Sequence, residues 1–235
     1  MIKVVAFDLD GTLTQHKTKL SSKNRAVLEK LSEKYKLLMV GAGTCKRIFN
    51  QMDFPIDIIG NYGMQYAKYN PDRCDIDIVR DEIRPIDKDT IEKKVAVLRE
   101  KYGFTEFSGD NVEYHPSGCI TFPILGTKAN QEDKLAFDPD RTKRRKIYND
   151  VVNTFSDYVV FIGGSSSFDM APKPYNKAYA LDLYCKENGI RHDEVVYVGD
   201  DYGPGGNDES VFKEDFVGVK IDDYRNFPEK VQFLL

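Results

Sequence analysis

The apolar positions of residues 1–81 fall into short continuous runs separated by stretches of helical period. Residues 2–7 form the first run. It ends in Asp8 and Asp10, two carboxylates with one leucine between them, followed at once by Gly11 and Thr12. A run this short, closed by a turn signal, suits a strand buried on both faces of a parallel sheet. Ser21 or Ser22 caps a helix to about residue 35, with Val27, Leu28, Leu31 and Tyr35 at helical spacing. Residues 36–40 make a second buried strand, ending in Gly41-Ala42-Gly43-Thr44, so that strand, helix and strand form a right-handed βαβ unit. A helix through Met52, a third strand over 56–59, a turn over 60–63 and a hairpin arm over 64–69 follow.

After Asp81 the rhythm changes. Residues 86–101 read as an amphipathic helix, and 104–107, 112–114 and 119–124 as short extended pieces. Asp138-Pro139-Asp140 opens a helix to about residue 155, and 158–162 and 167–170 are strands around Gly163-Gly164. Strands, helix and strands without βαβ alternation predict an α+β insert. From Lys177 the α/β rhythm returns, with a helix over 178–188 and a strand over 195–198 that ends in Gly199-Asp200-Asp201. A short helical piece at 211–213 and a last strand over 216–221 close the pattern. The expected organisation is a core over 1–81, an inserted domain over 82–175 and the core again over 176–235. The basic run Lys143-Arg144-Arg145-Lys146 reads as a solvated face of the insert helix.

Composition narrows the class. A chain of 235 residues, 41% hydrophobic and 31% charged, can bury a sizeable core. The net charge of −4 argues against a nucleic-acid partner. Cys45, Cys74, Cys119 and Cys185 form no CxxC pair, which points away from zinc or a disulfide framework and toward a reducing compartment. The first residues read as a core strand rather than a signal peptide, and no apolar run approaches a membrane span. The expectation is a soluble, cytoplasmic protein with no membrane partner.

Three strand ends carry polar groups: Asp8 with Asp10, Thr44, and Asp200 with Asp201. In an open parallel sheet such ends share one edge, outside which ligands bind. Gathered carboxylates repel one another unless a cation sits among them, and oxygen ligands without a His/Cys cluster favour Mg²⁺. A carboxylate there can attack phosphorus, and a second one two residues on can protonate the leaving oxygen. Lys177, where the core resumes, would offset the charge. A phosphate-binding or receiver-like module that is phosphorylated without turnover is the competing class; Asp10 argues against it, because such a site needs no acid/base.

Asp8-Leu9-Asp10-Gly11-Thr12 resembles the nucleophile motif of the haloacid dehalogenase (HAD) superfamily; Lys177 before a helix resembles its third motif, and Gly199-Asp200-Asp201 with Asn207-Asp208 its fourth. An insert between the second and third motifs is similar to the C2-type cap of the IIB subgroup. The match extends to eukaryotic-type phosphomannomutases: Tyr202-Gly203-Pro204-Gly205-Gly206-Asn207-Asp208 resembles their PGGND loop, and Gly163-Gly164 with Ser167-Phe168-Asp169 their sugar-binding cap stretch. The resemblance implies a Rossmann-like α/β core with an α+β cap that closes over the cleft. It makes Asp8 the nucleophile, Asp10 the acid/base and Lys177 the charge-neutralising group. It assigns Mg²⁺ to Asp8, the Asp10 backbone carbonyl and Asp200, sugar hydroxyls to Ser167 and Asp169, and support of the site to the loop with Asn207 and Asp208. It also implies a possible homodimer through the cap.

Departures from that pattern bear on the reaction. The mutases hold a second phosphate with arginines; the matching positions here are Lys17, His115, Thr127 (beside Lys128) and Lys134. Lysine lacks the bidentate fork that suits phosphate. The family also puts a hydroxyl residue at the end of the second strand, where the register here falls on Gly43, with Thr44 one residue late; Thr44 can contact phosphate, cap the next helix, or both. A weakened second anion site ranks hydrolysis of a small sugar phosphate ahead of interconversion of sugar 1- and 6-phosphates.

Overall fold

The structure, a computed structural model, describes residues 1–235. The first stretch runs β1 (Val4–Phe7), α1 (Ser22–Ser32), β2 (Lys36–Val40), α2 (Cys45–Met52), β3 (Asp57–Gly60), β4 (Gln65–Asn70) and β5 (Asp75–Asp81). Then come α3 (Lys88–Tyr102), β6 (Glu113–Tyr114), β7 (Ile120–Pro123), α4 (Gln131–Phe137), α5 (Thr142–Thr154), β8 (Tyr158–Phe161) and β9 (Ser167–Pro172). The chain ends with α6 (Lys177–Asn188), β10 (Val195–Gly199), α7 (Glu209–Phe212), β11 (Val217–Lys220) and α8 (Phe227–Lys230). No helix is long and apolar enough to cross a membrane.

Two compact units form. One is Met1–Glu82 with Tyr175–Gly203 and Asp208–Leu235; the other is Ile83–Pro174 with Pro204–Asn207. The expected boundaries left residues 204–207 in the core. They group instead with the insert because the Gly205 carbonyl accepts the Ile162 N–H at 2.8 Å and Ile162 and Tyr148 pack against Gly205.

In the first unit seven strands form one sheet in the order β11-β10-β1-β2-β3-β4-β5. β1 pairs in parallel with β10 and β2, whereas β4 and β5 run antiparallel. The continuous apolar run of β1 has a direct cause, since both faces are covered. Val5 and Phe7 enter a cluster with Leu28 and Leu31 of α1 and Ile48 and Met52 of α2. Val4 and Ala6 enter a second cluster with Leu181 and Tyr184 of α6. A strand covered on both sides needs no polar alternation. β5 has no such pattern. It is an edge strand with Ile78 and Val79 exposed and aspartates at three of its seven positions, so nothing in its sequence separated it from a loop.

The second unit holds an antiparallel sheet in the order β6-β7-β9-β8. One face of it, Ile120, Phe122, Phe168, Met170 and Val160, packs with Ile91, Val95 and Leu98 of α3 and Ile147 and Val151 of α5. The opposite face carries Thr121 and Asp169, which sit directly across from each other in the β7–β9 register. α4 was not expected; it buries no residue and so has no apolar period to read, and Asn130 caps it by accepting the Asp133 N–H. The solvated face expected at 143–146 holds for three residues but not for Arg144, which is buried. Its Nε donates to Asp138 at 2.8 Å, and its Nη1 donates to the carbonyls of Gly163, Gly164 and Ser167.

Candidate active site

Phe7 pairs with Val198 of β10 and Met39 of β2, so the residues that follow these strands emerge at one sheet edge. Asp8 is the first beyond β1, its N–H still bound to the Val198 carbonyl at 2.9 Å. Lys177 reaches this edge from the first turn of α6, a helix started by the Asn176 side chain accepting the Tyr179 N–H. Its ammonium is fully buried and lies 2.6 Å from Asp8 Oδ1 and 2.6 Å from Asp208 Oδ1. Asp208 also accepts the Tyr197 hydroxyl at 2.5 Å and the Asp201 N–H at 2.9 Å.

The electrostatics follow from burial. Desolvation pushes the Asp8 carboxyl well above the usual carboxylate range; Lys177 opposes this, and Asp208 and Asp200 reinforce it. Asp200 is pushed up to about 6, first by burial and then by Asp208. Burial would lower the Lys177 ammonium, but Asp208 and Asp8 outweigh it and hold it above its ordinary value. Carboxylate oxygens of Asp8, Asp200 and Asp208 lie within 4.8 Å of one another. With all of them ionised, three negative charges face one positive charge. That excess, carried by hard oxygen donors, fits a divalent cation. Both Asp208 oxygens already accept hydrogen bonds, whereas Asp8 Oδ2 and Asp200 Oδ2 accept none. Asp8 and Asp200 are therefore the pair able to hold it.

Asp10 belongs to a different set of partners. Its Oδ1 accepts the Lys17 backbone N–H and the Gln51 side-chain amide, both at 2.7 Å. Arg47 Nη1 stands 3.5 Å and His16 Nδ1 3.9 Å from Oδ2. Lys17 thus serves Asp10 through its main chain, at a positive φ of 58°, while its side chain is exposed. Thr44 is exposed and caps α2, its hydroxyl accepting the Arg47 N–H at 3.2 Å. Thr12 donates its hydroxyl to Asp200 Oδ1 at 2.8 Å.

Gly11 joins the two strand ends sterically. Its φ is +100°, and a Cβ there would lie 2.4 Å from Asp200 Oδ2. Gly11→Ala is expected to cost about 1–3 kcal/mol through the strained backbone. It should also raise the cation concentration needed for activity, because Asp200 must move. Thermal melting and a cation titration check this; a variant with wild-type values in both would remove Asp200 from the cation site.

The insert residues separate into two groups. Asp169 Oδ1 accepts the Thr121 hydroxyl at 2.9 Å, and the Thr121 oxygen stands 3.1 Å from His115 Nε2. Burial raises the Asp169 carboxyl, against the Thr121 hydrogen bond and the nearby His115. Ser167, two residues before Asp169, donates its hydroxyl to the Gly163 carbonyl at 3.1 Å. His115, Ser167 and Asp169 thus come together with Thr121, which the sequence did not single out. Thr127 and Lys134 lie elsewhere: the Thr127 hydroxyl accepts from and donates to Asp110, and Lys134 Nζ donates to the Thr127 carbonyl. Asn207 falls in the insert unit and Asp208 in the core unit, where Asp208 binds the buried lysine.

Carboxylates and a buried lysine at the carboxyl edge of a parallel sheet, in a chain with an α+β insert, fit the class of α/β phosphotransfer proteins. The chain belongs to the haloacid dehalogenase-like hydrolases, a family that matches it over residues 5–222. It is phosphomannomutase-like. It is 26% identical to a phosphomannomutase of Encephalitozoon cuniculi, over 97% of this chain and 93% of that protein. It is 23% identical to human phosphomannomutase 1, over 88% of this chain and 82% of that protein. Among solved structures the fold resembles a phosphatase of the haloalkanoate (HAD) superfamily from Bacteroides thetaiotaomicron. That pair shares 18% identity and a TM-score of 0.65, covering 100% of this chain and 95% of the other.

Proposed function

We propose that the protein moves a phosphoryl group between two positions of a small sugar phosphate, through an aspartyl-phosphate on Asp8. The observation that carries this is the similarity to phosphomannomutases over most of both chains. An Asp8 oxygen bonds to phosphorus as the bond from phosphorus to the sugar oxygen breaks, and the electron pair leaves with that oxygen. Protonated Asp10 gives it a proton. In the return half, a second sugar hydroxyl gives its proton to Asp10, bonds to phosphorus and frees Asp8. Asp10 Oδ2 is the oxygen for this traffic, because Oδ1 holds Lys17 and Gln51. The Lys177 ammonium offsets charge around Asp8. Asp8, Asp200 and the Asp10 backbone carbonyl would hold Mg²⁺, which supplies Lewis-acid neutralisation of phosphoryl oxygens. Ser167, Asp169 and His115 are the sugar contacts, and Thr44 a phosphate contact.

The sequence alone ranks hydrolysis first, and the relatives favour interconversion. One observation still supports the hydrolytic reading. At the four positions where the mutases carry arginine there is none, and Thr127 and Lys134 are engaged within the insert. A mannose 1-phosphate incubation with Mg²⁺ and a catalytic sugar bisphosphate separates the two. Interconversion predicts the 6-phosphate without matching release of phosphate. Phosphate release without isomer replaces it with hydrolysis, and neither product across a panel of sugar phosphates overturns both.

A further inference from the structure

The end of β2 lacks the hydroxyl that the family pattern puts there, because Gly43 has no side chain. The place is not empty. A Cβ on Gly43 would lie 2.3 Å from Arg47 Nε and 2.4 Å from Arg47 Nη2. Arg47 stands in the first turn of α2, and its side chain folds back over the strand end, the direction in which helical side chains lean. Its Nη1 is 3.1 Å from Gln51 Oε1 and 3.5 Å from Asp10 Oδ2. Gln51, one turn on, donates to Asp10 Oδ1 and to the Thr14 hydroxyl. The pair thus brackets the proposed acid/base, with Arg47 beside the oxygen left for proton transfer. Nε and Nη2, the two-pronged edge of the guanidinium, make no hydrogen bond within the protein, and the side chain is 43% exposed.

We propose that Arg47 is a phosphate-binding residue of this site, taking the place of the missing strand-end hydroxyl and meeting phosphoryl oxygens through Nε and Nη2 once its flexible side chain lifts that edge from Gly43. A planar fork suits that geometry better than a hydroxyl or an ammonium does. Arg47 and Gly43 form one device, since a side chain at 43 would displace the guanidinium. The ligand class is a phosphate monoester or inorganic phosphate. The role of the bound group rests on the proposed transfer reaction, but the binding itself does not.

Calorimetry with inorganic phosphate and Mg²⁺ is the primary test. Arg47→Ala is expected to weaken phosphate about 10- to 100-fold, the loss of charge-assisted hydrogen bonds, and Arg47→Lys to recover part of it. Gly43→Ser should weaken phosphate on its own, by collision with Arg47, yet strengthen it in the Arg47→Ala background, where the hydroxyl has room. A helix-surface role for Arg47 would not produce that reversal of sign. Phosphate affinity within twofold of wild type in Arg47→Ala, no phosphate binding by the wild type, or Gly43→Ser acting alike in both backgrounds overturns the assignment. Arg47-dependent phosphate binding in a protein that transfers no phosphoryl group would sink the transfer reading and leave the binding residue standing.

Discussion

Asp8→Asn is expected to abolish phosphoryl transfer, by at least about 10⁴-fold, while melting no lower than the wild type. The first half follows from chemistry, because an amide cannot supply the attacking oxygen. The second follows from the site. Asp8 is buried with Asp200 and Asp208 around it, and burial and these neighbours push its carboxyl well above the usual range against the pull of Lys177. An asparagine of the same shape removes one of three mutually repelling charges, and Lys177 keeps Asp208 as a partner at 2.6 Å. Without a divalent cation the variant should gain about 0.5–2 kcal/mol, the range of charge-relieving substitutions at active sites. The pH dependence has a definite sign. A carboxyl whose folded pKa lies above its unfolded value of about 4 binds more protons folded than unfolded, so the wild type loses stability as pH rises through that window. The variant lacks this loss, and its advantage should widen from pH 4 upward. Saturating Mg²⁺ should reverse the order, since a cation bound by the folded state stabilises the wild type more. Melting curves at several pH values, with and without Mg²⁺, test all of this. A variant less stable than wild type without cation would mean that the carboxylates do not repel as argued.

The parts of this molecule that were legible in the sequence are those where one residue's role does not depend on a distant partner. β1 was readable because a strand covered on both faces must be apolar at every position, and its end was readable because two carboxylates and a glycine cannot continue such a strand. Lys177 and Asp200 were readable as polar groups at element ends in the same rhythm. Arg144 was misread because four basic residues in a row look alike. Its spacing of three and seven from Ile147 and Val151 puts it on their inward face, and that was the available signal. Thr121 and Tyr197 carried none. A hydroxyl on a strand acquires meaning only when its partner, here Asp169 or Asp208, arrives from another element. β5 and α4 failed for the opposite reason, since elements that bury little leave little periodicity. Arg47 hid behind Gly43, because one residue's lack of a side chain became another's place.

The second large effect is expected at Lys177, on stability as much as on activity. Lys177→Met keeps the length of the side chain and removes its charge from a position with no exposure at all. Breaking a buried ion pair from one side typically costs about 3–5 kcal/mol, because the partner is left buried and uncompensated. Here two partners are left, Asp8 and Asp208, with Asp200 close by. Tyr197 and the Asp201 N–H still bind Asp208, which limits the loss but cannot balance a charge. Transfer should fall by at least about 10²–10³-fold, the usual cost of removing one preorganised electrostatic partner. The stability loss has a specific remedy that a simple packing defect would not. Adding Asp208→Asn to Lys177→Met removes one of the stranded charges while preserving shape, so the double variant should be more stable than Lys177→Met alone. In the wild-type background Asp208→Asn should be destabilising, because Lys177 loses a partner and the new amide nitrogen faces the Asp201 N–H that Oδ2 now accepts, a donor clash that Asp8→Asn does not create. That opposite sign in the two backgrounds is a coupling energy of the kind measured between residues in direct contact. Denaturant unfolding of the four proteins gives it directly. If Asp208→Asn destabilises both backgrounds equally, the ammonium and the carboxylate are not energetically joined, and Lys177 would be a packed side chain rather than the cation that makes three carboxylates tolerable at one sheet edge.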